Sequence, residues 1–181
     1  MGEPRIFLPV KLISGIIAGN ESLIASARIL LEEIFGSADS ESGIFPFNRT
    51  DYYAKEMGYP LHRCFISFKE LVSPEDLARI KKRTNRLERR MSDAEGSDGR
   101  VVNIDPGMLR ASSLIMATAK DFSHRVPLRE GIYAHLELLF GKKEVRLLPW
   151  TYPDFQSAGY QEYFMSVRRL YLDQLRRRKR L

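Results

Sequence analysis

An α+β fold is the class that this sequence predicts, on three observations. Mostly apolar stretches that suit buried strands alternate with amphipathic segments, in which apolar residues recur with the 3.6-residue period of a helix. The first six predicted elements run strand, helix, strand, strand, helix, strand, which is the split βαβ order of ferredoxin-like folds. A chain of 181 residues, 44% hydrophobic and 29% charged, suits one globular domain. We therefore expect an antiparallel or mixed sheet with helices packed on one face, its ferredoxin-like core extended by a C-terminal β-hairpin and a long C-terminal helix.

The first predicted strand and helix lie at the N-terminal end. Residues 9–18 are mostly apolar, as in a strand that is buried on both faces. Asn20 can cap a helix whose apolar residues recur at offsets of three and four up to Gly36, a residue that commonly ends helices. The polar residues 37–43 are then expected to form a loop.

Two further strands and a second helix follow. Residues 47–54 and 62–68 predict strands that are joined around Gly58-Tyr59-Pro60. A helix is expected to begin at Ser73, because its capping hydroxyl is followed by proline and then by two acids at the positive end of the helix dipole. The apolar face of this helix carries Leu77, Ile80, Leu87 and Met91.

The C-terminal half predicts a hairpin and a last helix. Residues 132–140 and 144–150 are expected to pair across a turn at Gly141. A helix from about residue 157 presents an aromatic and apolar face. That face consists of Tyr160, Tyr163, Phe164, Val167, Leu170 and Tyr171.

Charge and cysteine content limit the class of protein. The formal net charge is +6, and the five basic residues 176–180 account for five of those charges, so the rest of the chain is close to neutral. We therefore treat residues 1–175 as a single domain and residues 176–181 as a basic tail. Cys64 is the only cysteine, which excludes an internal disulfide and a thiolate zinc cluster. The apolar run 12–19 is too short to span a bilayer, and we expect a cytoplasmic protein.

The signatures of common nucleotide-binding and hydrolytic enzymes are missing. A P-loop ends in Gly-Lys-Ser or Gly-Lys-Thr, but Lys143 follows the only Gly-Lys pair, Gly141-Lys142. There is no G-x-G-x-x-G, H-E-x-x-H or G-x-S-x-G pattern. The three histidines are too scattered to define a metal site, so the cofactor is unknown and a divalent metal is left open. Cys64 lies within an apolar strand and is expected to be a buried structural thiol.

Asn103 and Asp105 are the first candidate site residues. Residues 100–105 predict a strand that stops at Pro106-Gly107, and residues 108–119 are expected to form a short helix. Two residues apart on a strand, Asn103 and Asp105 would project from the same face, where they suit a metal, a ribose hydroxyl or a general base. The alternative is structural, because Asp-Pro-Gly is typical of a turn in which the aspartate accepts backbone hydrogen bonds.

A second group of candidates follows at residues 120–125. Lys120, His124 and Arg125 are three basic side chains around Asp121. They suit an anionic ligand that Lys120 and Arg125 would hold, while His124 would transfer protons near neutral pH. A solvated loop with one surface ion pair is the structural alternative. Asp51 and Tyr53 would share one face of the predicted strand 47–54 and are further candidates for binding.

The second predicted helix carries a basic face. Arg79, Lys82, Arg83, Arg86 and Arg90 form it, and Lys81 and Arg89 add to it. Together with the tail, this face could bind phosphates without reading a base sequence. The aromatic signature of RNA-recognition modules is missing, however, and a solvated helix face is the favoured interpretation.

Several unusual segments occur along the chain in a fixed order. They are FPFNRTDYYAKEMG, KKRTNRLE, VNIDPG, ATAKDFSHR, GIYAHLEL and LPWTYPDF. In these segments the chain resembles a bacterial family catalogued as a domain of unknown function, number 4416, over roughly residues 10–175. The resemblance implies no established activity and no site residue. Some members carry the label GTP-binding protein, but this chain lacks the P-loop, and the lysine of Thr118-Ala119-Lys120-Asp121 falls one place late for the [NT]-K-x-D signature.

Three functional hypotheses follow. The favoured one is an enzyme or binding protein for a small anionic or phosphorylated ligand, nucleotides included, with Asp105 and His124 as candidate catalytic residues. Its candidate binding residues are Asn103, Lys120, Asp121, Arg125, Asp51 and Tyr53. The first alternative is an adaptor that binds RNA or an acidic partner through the basic helix and tail, and the second is a structural subunit without a ligand. No membrane association is expected, and the sequence predicts no particular oligomeric state.

Overall fold

The computed structural model describes residues 2–178, so Lys179 to Leu181 of the predicted tail lie outside the described residues. The strands are β1 (Val10–Ala18), β2 (Ala38–Glu41), β3 (Phe45–Pro46), β4 (His62–Val72), β5 (Val102–Leu109), β6 (Ser113–Thr118), β7 (Val126–Arg129), β8 (Ile132–Phe140) and β9 (Val145–Arg146). The helices are α1 (Glu21–Phe35), α2 (Ala54–Met57), α3 (Leu77–Ala94) and α4 (Ala158–Arg178). Short 3₁₀ turns, Pro74–Asp76 and Pro153–Gln156, precede α3 and α4. Within residues 2–178, no helix combines the length and the apolar character needed to cross a membrane.

All the strands form one antiparallel sheet. Its order is β2-β4-β1-β5-β6-β8-β7, with β3 added to β4 and β9 added to β8. Strand β1 lies near the centre and is buried along its whole length. The α+β class and the antiparallel sheet that the sequence predicts are confirmed.

Helices cover both faces of the sheet. Leu12 and Ile16 of β1 pack into the cluster that contains α1 and α3, whereas Ile13 packs into the aromatic cluster of α4. The prediction that helices pack on one face is therefore wrong. The physical reason is that the aromatic face of α4 needs an apolar surface of its own, and α1 and α3 already cover the other side. Leu170, expected in the core face of α4, is 39% exposed.

Several predicted elements differ in the structure. The predicted loop 37–43 contains β2, an edge strand that tolerates polar residues because only alternate side chains are partly covered. The predicted strand 47–54 is a loop that leads into α2, and only Phe45–Pro46 pairs with β4. The predicted helix 108–119 is wrong as well, because those residues complete β5 and form β6.

The chain does not turn at Pro106-Gly107, because β5 pairs with β1 along its whole length. The backbone N–H and C=O of Ile104 point away from β1, and Pro106 has the same orientation in the strand. At Pro106 the position of the missing N–H therefore faces the β6 side of the strand, where pairing with β6 begins only at Gly107. No ladder hydrogen bond is lost, so proline is tolerated there.

Candidate functional site

The candidate site lies where β5 and β6 separate. The two strands pair only at Gly107–Met116, Met108–Ile115 and Leu109–Leu114, although β5 begins at Val102 and β6 continues to Thr118. Gly107 permits the close approach at this junction, because a Cβ atom there would lie 2.5 Å from Met116 Sδ. Beyond it the strands diverge and border a cleft of about 980 Å³.

Helix α3 satisfies the part of β5 that this separation leaves unpaired. Lys81 Nζ donates a hydrogen bond to the Ile104 carbonyl at 2.8 Å, and the Ile104 N–H donates to Glu88 Oε1 at 2.7 Å. Two helix side chains thus replace the hydrogen bonds of a neighbouring strand. Burial raises the pKa of Glu88, and Lys81 opposes that rise. Lys81 is buried here, so its predicted place on the exposed basic face is wrong.

Opposite charges alternate along the inner end of the cleft. Asp105 Oδ1 lies 3.3 Å from Lys81 Nζ, and Asp105 Oδ2 lies 3.6 Å from a terminal guanidinium nitrogen of Arg63. Asn103 Nδ2 donates to Asp105 Oδ2 at 2.7 Å. Burial alone would raise the pKa of Asp105, but Lys81 and Arg63 outweigh it and lower that pKa. Asp105 is therefore an ionised carboxylate, which accepts hydrogen bonds and donates none.

Arg63 of β4 extends the charged chain to the segment before α4. It donates to Asp154 Oδ2 at 2.5 Å. Its guanidinium carbon lies 4.8 Å from the Phe65 ring centroid and 4.9 Å from that of Phe155, distances typical of cation–π contacts. Gly15 leaves room for the guanidinium, because a Cβ atom there would approach it to 2.9 Å. Although burial opposes the charge, Asp154 and Asp105 raise the pKa of Arg63.

Aromatic rings and cations line the outer part of the cleft. Lys120 Nζ lies 3.4 Å from the centroid of the Tyr52 ring, which packs edge-on against Tyr53 at 4.9 Å. Arg100 lies 5.6 Å from the Tyr53 ring and forms an ion pair with Glu56 at 3.1 Å. Burial raises the pKa of Tyr53, and the charge of Asp105 adds to the rise. The remaining charged residues of this outer part are Arg49, Arg89, Asp93 and Asp98.

A pair of histidines supports one wall of the cleft. His135 lines the cleft and is 1% exposed. Its Nε2 lies 2.7 Å from Glu137 Oε2, and its Nδ1 lies 3.1 Å from Nε2 of His124. Arg125 donates to the same Nδ1 at 3.3 Å and to the Tyr152 hydroxyl at 2.7 Å. Desolvation, His135 and Arg125 all lower the pKa of His124.

The structure brings four of the eight predicted site residues to one cleft. These four are Tyr53, Asn103, Asp105 and Lys120. His124 and Arg125 contact His135 and do not line the cleft themselves. Neither Asp51, which accepts a hydrogen bond from Tyr59 at 2.5 Å, nor the exposed Asp121 lines the cleft.

Several residues of the cleft were missed in the sequence. The sequence does contain a pattern that indicates burial of Arg63, because it is a charged residue between apolar neighbours of a strand. A pattern for Lys81 and Glu88 exists as well, since both lie at the margin of the apolar face of α3 at helical spacing. His135 and Glu137 share one face of β8, but nothing local distinguishes them from an ordinary strand.

The described residues 2–178 contain no group of three or more histidine, cysteine, aspartate or glutamate side chains that could hold a metal ion. The alternation of buried carboxylates with lysine and arginine also differs from a cation site, where acids converge without bases. The arrangement can instead donate and accept hydrogen bonds at its inner end and attract an anion at its outer part.

The fold and the site together define an α+β protein with a cleft lined by charged and aromatic residues at a fork in an antiparallel sheet. The chain belongs to the family described as domain of unknown function (DUF4416), whose model matches residues 8–171. The matched range includes every residue that lines the cleft. Comparison with curated proteins and with solved structures found no match.

Proposed function

We propose that the protein binds a small anionic organic ligand, such as a phosphorylated metabolite or a nucleotide, in the cleft between β5 and β6. The main observation behind the proposal is that Tyr53, Asp105 and Lys120, which belong to separate segments of the chain, line one cavity. Turns and solvated loops do not require such residues to share a cleft. Buried charges also favour this proposal over the structural subunit, because they cost stability and cluster at functional sites.

The size and lining of the cleft support a small-molecule site. A volume of about 980 Å³ lies at the upper end of the range for such sites, roughly 300–1,000 Å³. Lys120 supports an anionic partner, and the rings of Tyr52 and Tyr53 provide apolar surface for the rest of the ligand. A catalytic role would use Asp105 at the inner end, and His124 acting through His135.

Thermal unfolding of the purified protein against nucleotides, sugar phosphates and dicarboxylates tests the proposal. A ligand at a hundred times its Kd stabilises the folded protein by about 2.7 kcal/mol, which corresponds to roughly 5–10 °C for a chain of this size. We expect Lys120→Ala to reduce this shift and Lys142→Ala, at an exposed lysine outside the cleft, to leave it unchanged. A panel that produces no shift contradicts the proposal.

Binding of RNA or an acidic partner through α3 is the second candidate. Arg83, Arg86 and Arg90 border a small groove on its exposed face, and within residues 2–178 neither Arg86 nor Arg90 forms an ion pair. Lys82, however, pairs with Glu130, and Arg79 pairs with Asp76. This partial neutralisation is the reason that we favour the cleft.

We also propose that β1, α1, β2, β4, α3 and β5 form a ferredoxin-like core. The order β2-β4-β1-β5, the antiparallel pairing and the common face of α1 and α3 support this assignment. A cytoplasmic location accompanies the proposal, because the single thiol, Cys64, is free and buried.

A further inference from the structure

We infer that the ligand of the cleft carries neighbouring hydroxyl groups that face Asp105 and an anionic group that faces Lys120, as a phosphorylated sugar or polyol does. This inference rests on the proposed function and narrows its ligand to one chemical class.

Asp105 has acceptor capacity that the protein does not use. Lys81 lies 3.3 Å from one carboxylate oxygen, and Asn103 donates to the other at 2.7 Å. Each carboxylate oxygen can accept two hydrogen bonds, and the side chain remains 24% exposed where it lines the cleft. Because an ionised carboxylate donates nothing, the ligand atom that faces it must be a donor.

The charges around Asp105 select a neutral donor. Lys81 and Arg63 lie on either side of the carboxylate, at 3.3 and 3.6 Å, and would repel an ammonium group. Asp105 and Asp154 would repel an anion from the same place. A hydroxyl satisfies both conditions, because it donates to the carboxylate and accepts from a neighbouring cation. Because a cation lies on each side of the Asp105 carboxylate, this part of the cleft suits a ligand with two hydroxyls on neighbouring atoms.

The outer part of the cleft has the opposite preference. Lys120, Arg49 and Arg89 line the cleft and form no ion pair within residues 2–178, whereas two lining acids, Asp93 and Asp98, are unpaired there. The unpaired charges thus leave an excess of one positive charge. Lys120 Nζ, 3.4 Å from the Tyr52 ring centroid, places that charge beside an aromatic surface.

A ring that carries both hydroxyls and a phosphate matches the inner end and the outer part of the cleft together. Its hydroxyls would meet Asp105, its apolar ring face would lie against the tyrosines, and its phosphate would approach Lys120. Free sugar phosphates and nucleoside phosphates share this chemistry, so the probes must distinguish them.

Isothermal titration calorimetry of the full chain with matched pairs tests the inference. The pairs are ribose 5-phosphate and 2-deoxyribose 5-phosphate, glucose 6-phosphate and 2-deoxyglucose 6-phosphate, and AMP and dAMP, with pyrophosphate and succinate as anions that lack hydroxyls. Loss of one hydroxyl that bonds to a charged group should weaken binding about tenfold or more in at least one pair. Tighter binding of AMP than of ribose 5-phosphate would assign the ligand to the nucleotides, and the reverse would assign it to the free sugar phosphates.

Two variants connect the preference to named residues. Asp105→Asn should remove the discrimination within the pair without weakening pyrophosphate binding, because it removes a negative charge from beside Lys81 and Arg63, whereas Lys120→Ala should weaken every phosphorylated probe. Equal binding within all pairs, or binding of pyrophosphate and succinate alone, overturns the inference but leaves anion binding intact. If no anion binds, with or without hydroxyls, the proposed function fails as well. The comparison within pairs uses the unmodified protein, so it does not depend on the folding of Asp105→Asn.

Discussion

Lys81 donates hydrogen bonds to the Ile104 carbonyl and to Asp105, and it forms a longer ion pair with Glu88 at 3.9 Å. Lys81→Met keeps much of the side-chain volume but leaves both carboxylates buried without this cation. Breaking a buried ion pair from one side costs about 3–5 kcal/mol, and we expect a loss of that size in the free energy of unfolding, measured with urea. The adjacent Lys82→Ala, which removes only an exposed pair with Glu130, is the matched control and should change little. Similar losses in both variants would show that Lys81 has no special role.

Asp105 should also make stability depend on pH. Its pKa is lower in the folded protein than the ordinary value of 3.8, so its stabilising contribution is complete above that value and is lost as the pH falls through the lower folded pKa. We expect the unmodified protein to lose more stability than Asp105→Asn between about pH 5 and about pH 3, measured by urea unfolding. Parallel losses in the two proteins would contradict the ion pairing of Asp105 with Lys81 and Arg63.

At the scale of elements, the fork between β5 and β6 depends on Gly107. A Cβ atom at this position would lie 2.5 Å from Met116 Sδ and 3.0 Å from the Ile115 carbonyl oxygen. Gly107→Ala must therefore displace the Met116 side chain and shift the Ile115 carbonyl slightly, and we expect it to destabilise the protein by about 1–3 kcal/mol in thermal or urea unfolding. Gly43→Ala, where a Cβ atom meets nothing within 4 Å, is the control. A neutral effect at Gly107 would mean that Met116 can move without loss of packing.

The loop 119–125 between β6 and β7 is attached through His124. This histidine faces His135 and Arg125, with Glu137 behind His135, and its ring stacks on Trp150 at 4.9 Å. Because its pKa is lower in the folded protein than the ordinary 6.5, the unfolded chain takes up its proton first, and stability falls as the pH drops below about 6.5. We expect the melting temperature of His124→Gln to fall less than that of the unmodified protein between about pH 7.5 and about pH 5.5. An identical decrease would exclude this contribution of His124.

Elements with strong local signals could be predicted from the sequence, and the others could not. Helix α1 is marked by the cap Asn20, α3 by Ser73 before its 3₁₀ turn, and α4 by apolar periodicity alone. Strands β1, β4 and β8 are marked by apolar content. Strand β2, with the residues Ala-Asp-Ser-Glu, lies at an edge where burial leaves little trace in the sequence. Pro106-Gly107 is typical of a turn, but pairing with β1 through the whole of β5 outweighs that local preference.

At the scale of the whole molecule, the site depends on contacts that no local pattern contains. Asn103 and Asp105 are neighbours on one strand, so their common face could be predicted. Arg63 and Asp154 are 91 residues apart in the chain, and Lys81 and Asp105 are 24 apart, so only the tertiary fold brings them together. Their pairing links β4, β5, α3 and the segment before α4 into one charged network at the inner end of the cleft.

The distribution of net charge over the whole molecule separates the cleft from the RNA-binding alternative. Residues 176–180 carry five of the six net positive charges. Within the described part of the chain, the residues that line the cleft all lie outside this segment. Each phosphate contact to a single strand contributes about −0.7 to the slope of log affinity against log salt. We therefore expect removal of residues 176–181 to weaken binding of a single-stranded RNA and to reduce the size of that slope by up to about 3.5, measured by fluorescence anisotropy between about 50 and about 200 mM salt.

Ligand-induced thermal shifts should persist in the same truncated protein. Unchanged RNA affinity would exclude the tail from nucleic-acid binding, and loss of the thermal shift would place the anion at the tail and contradict the proposed role of the cleft.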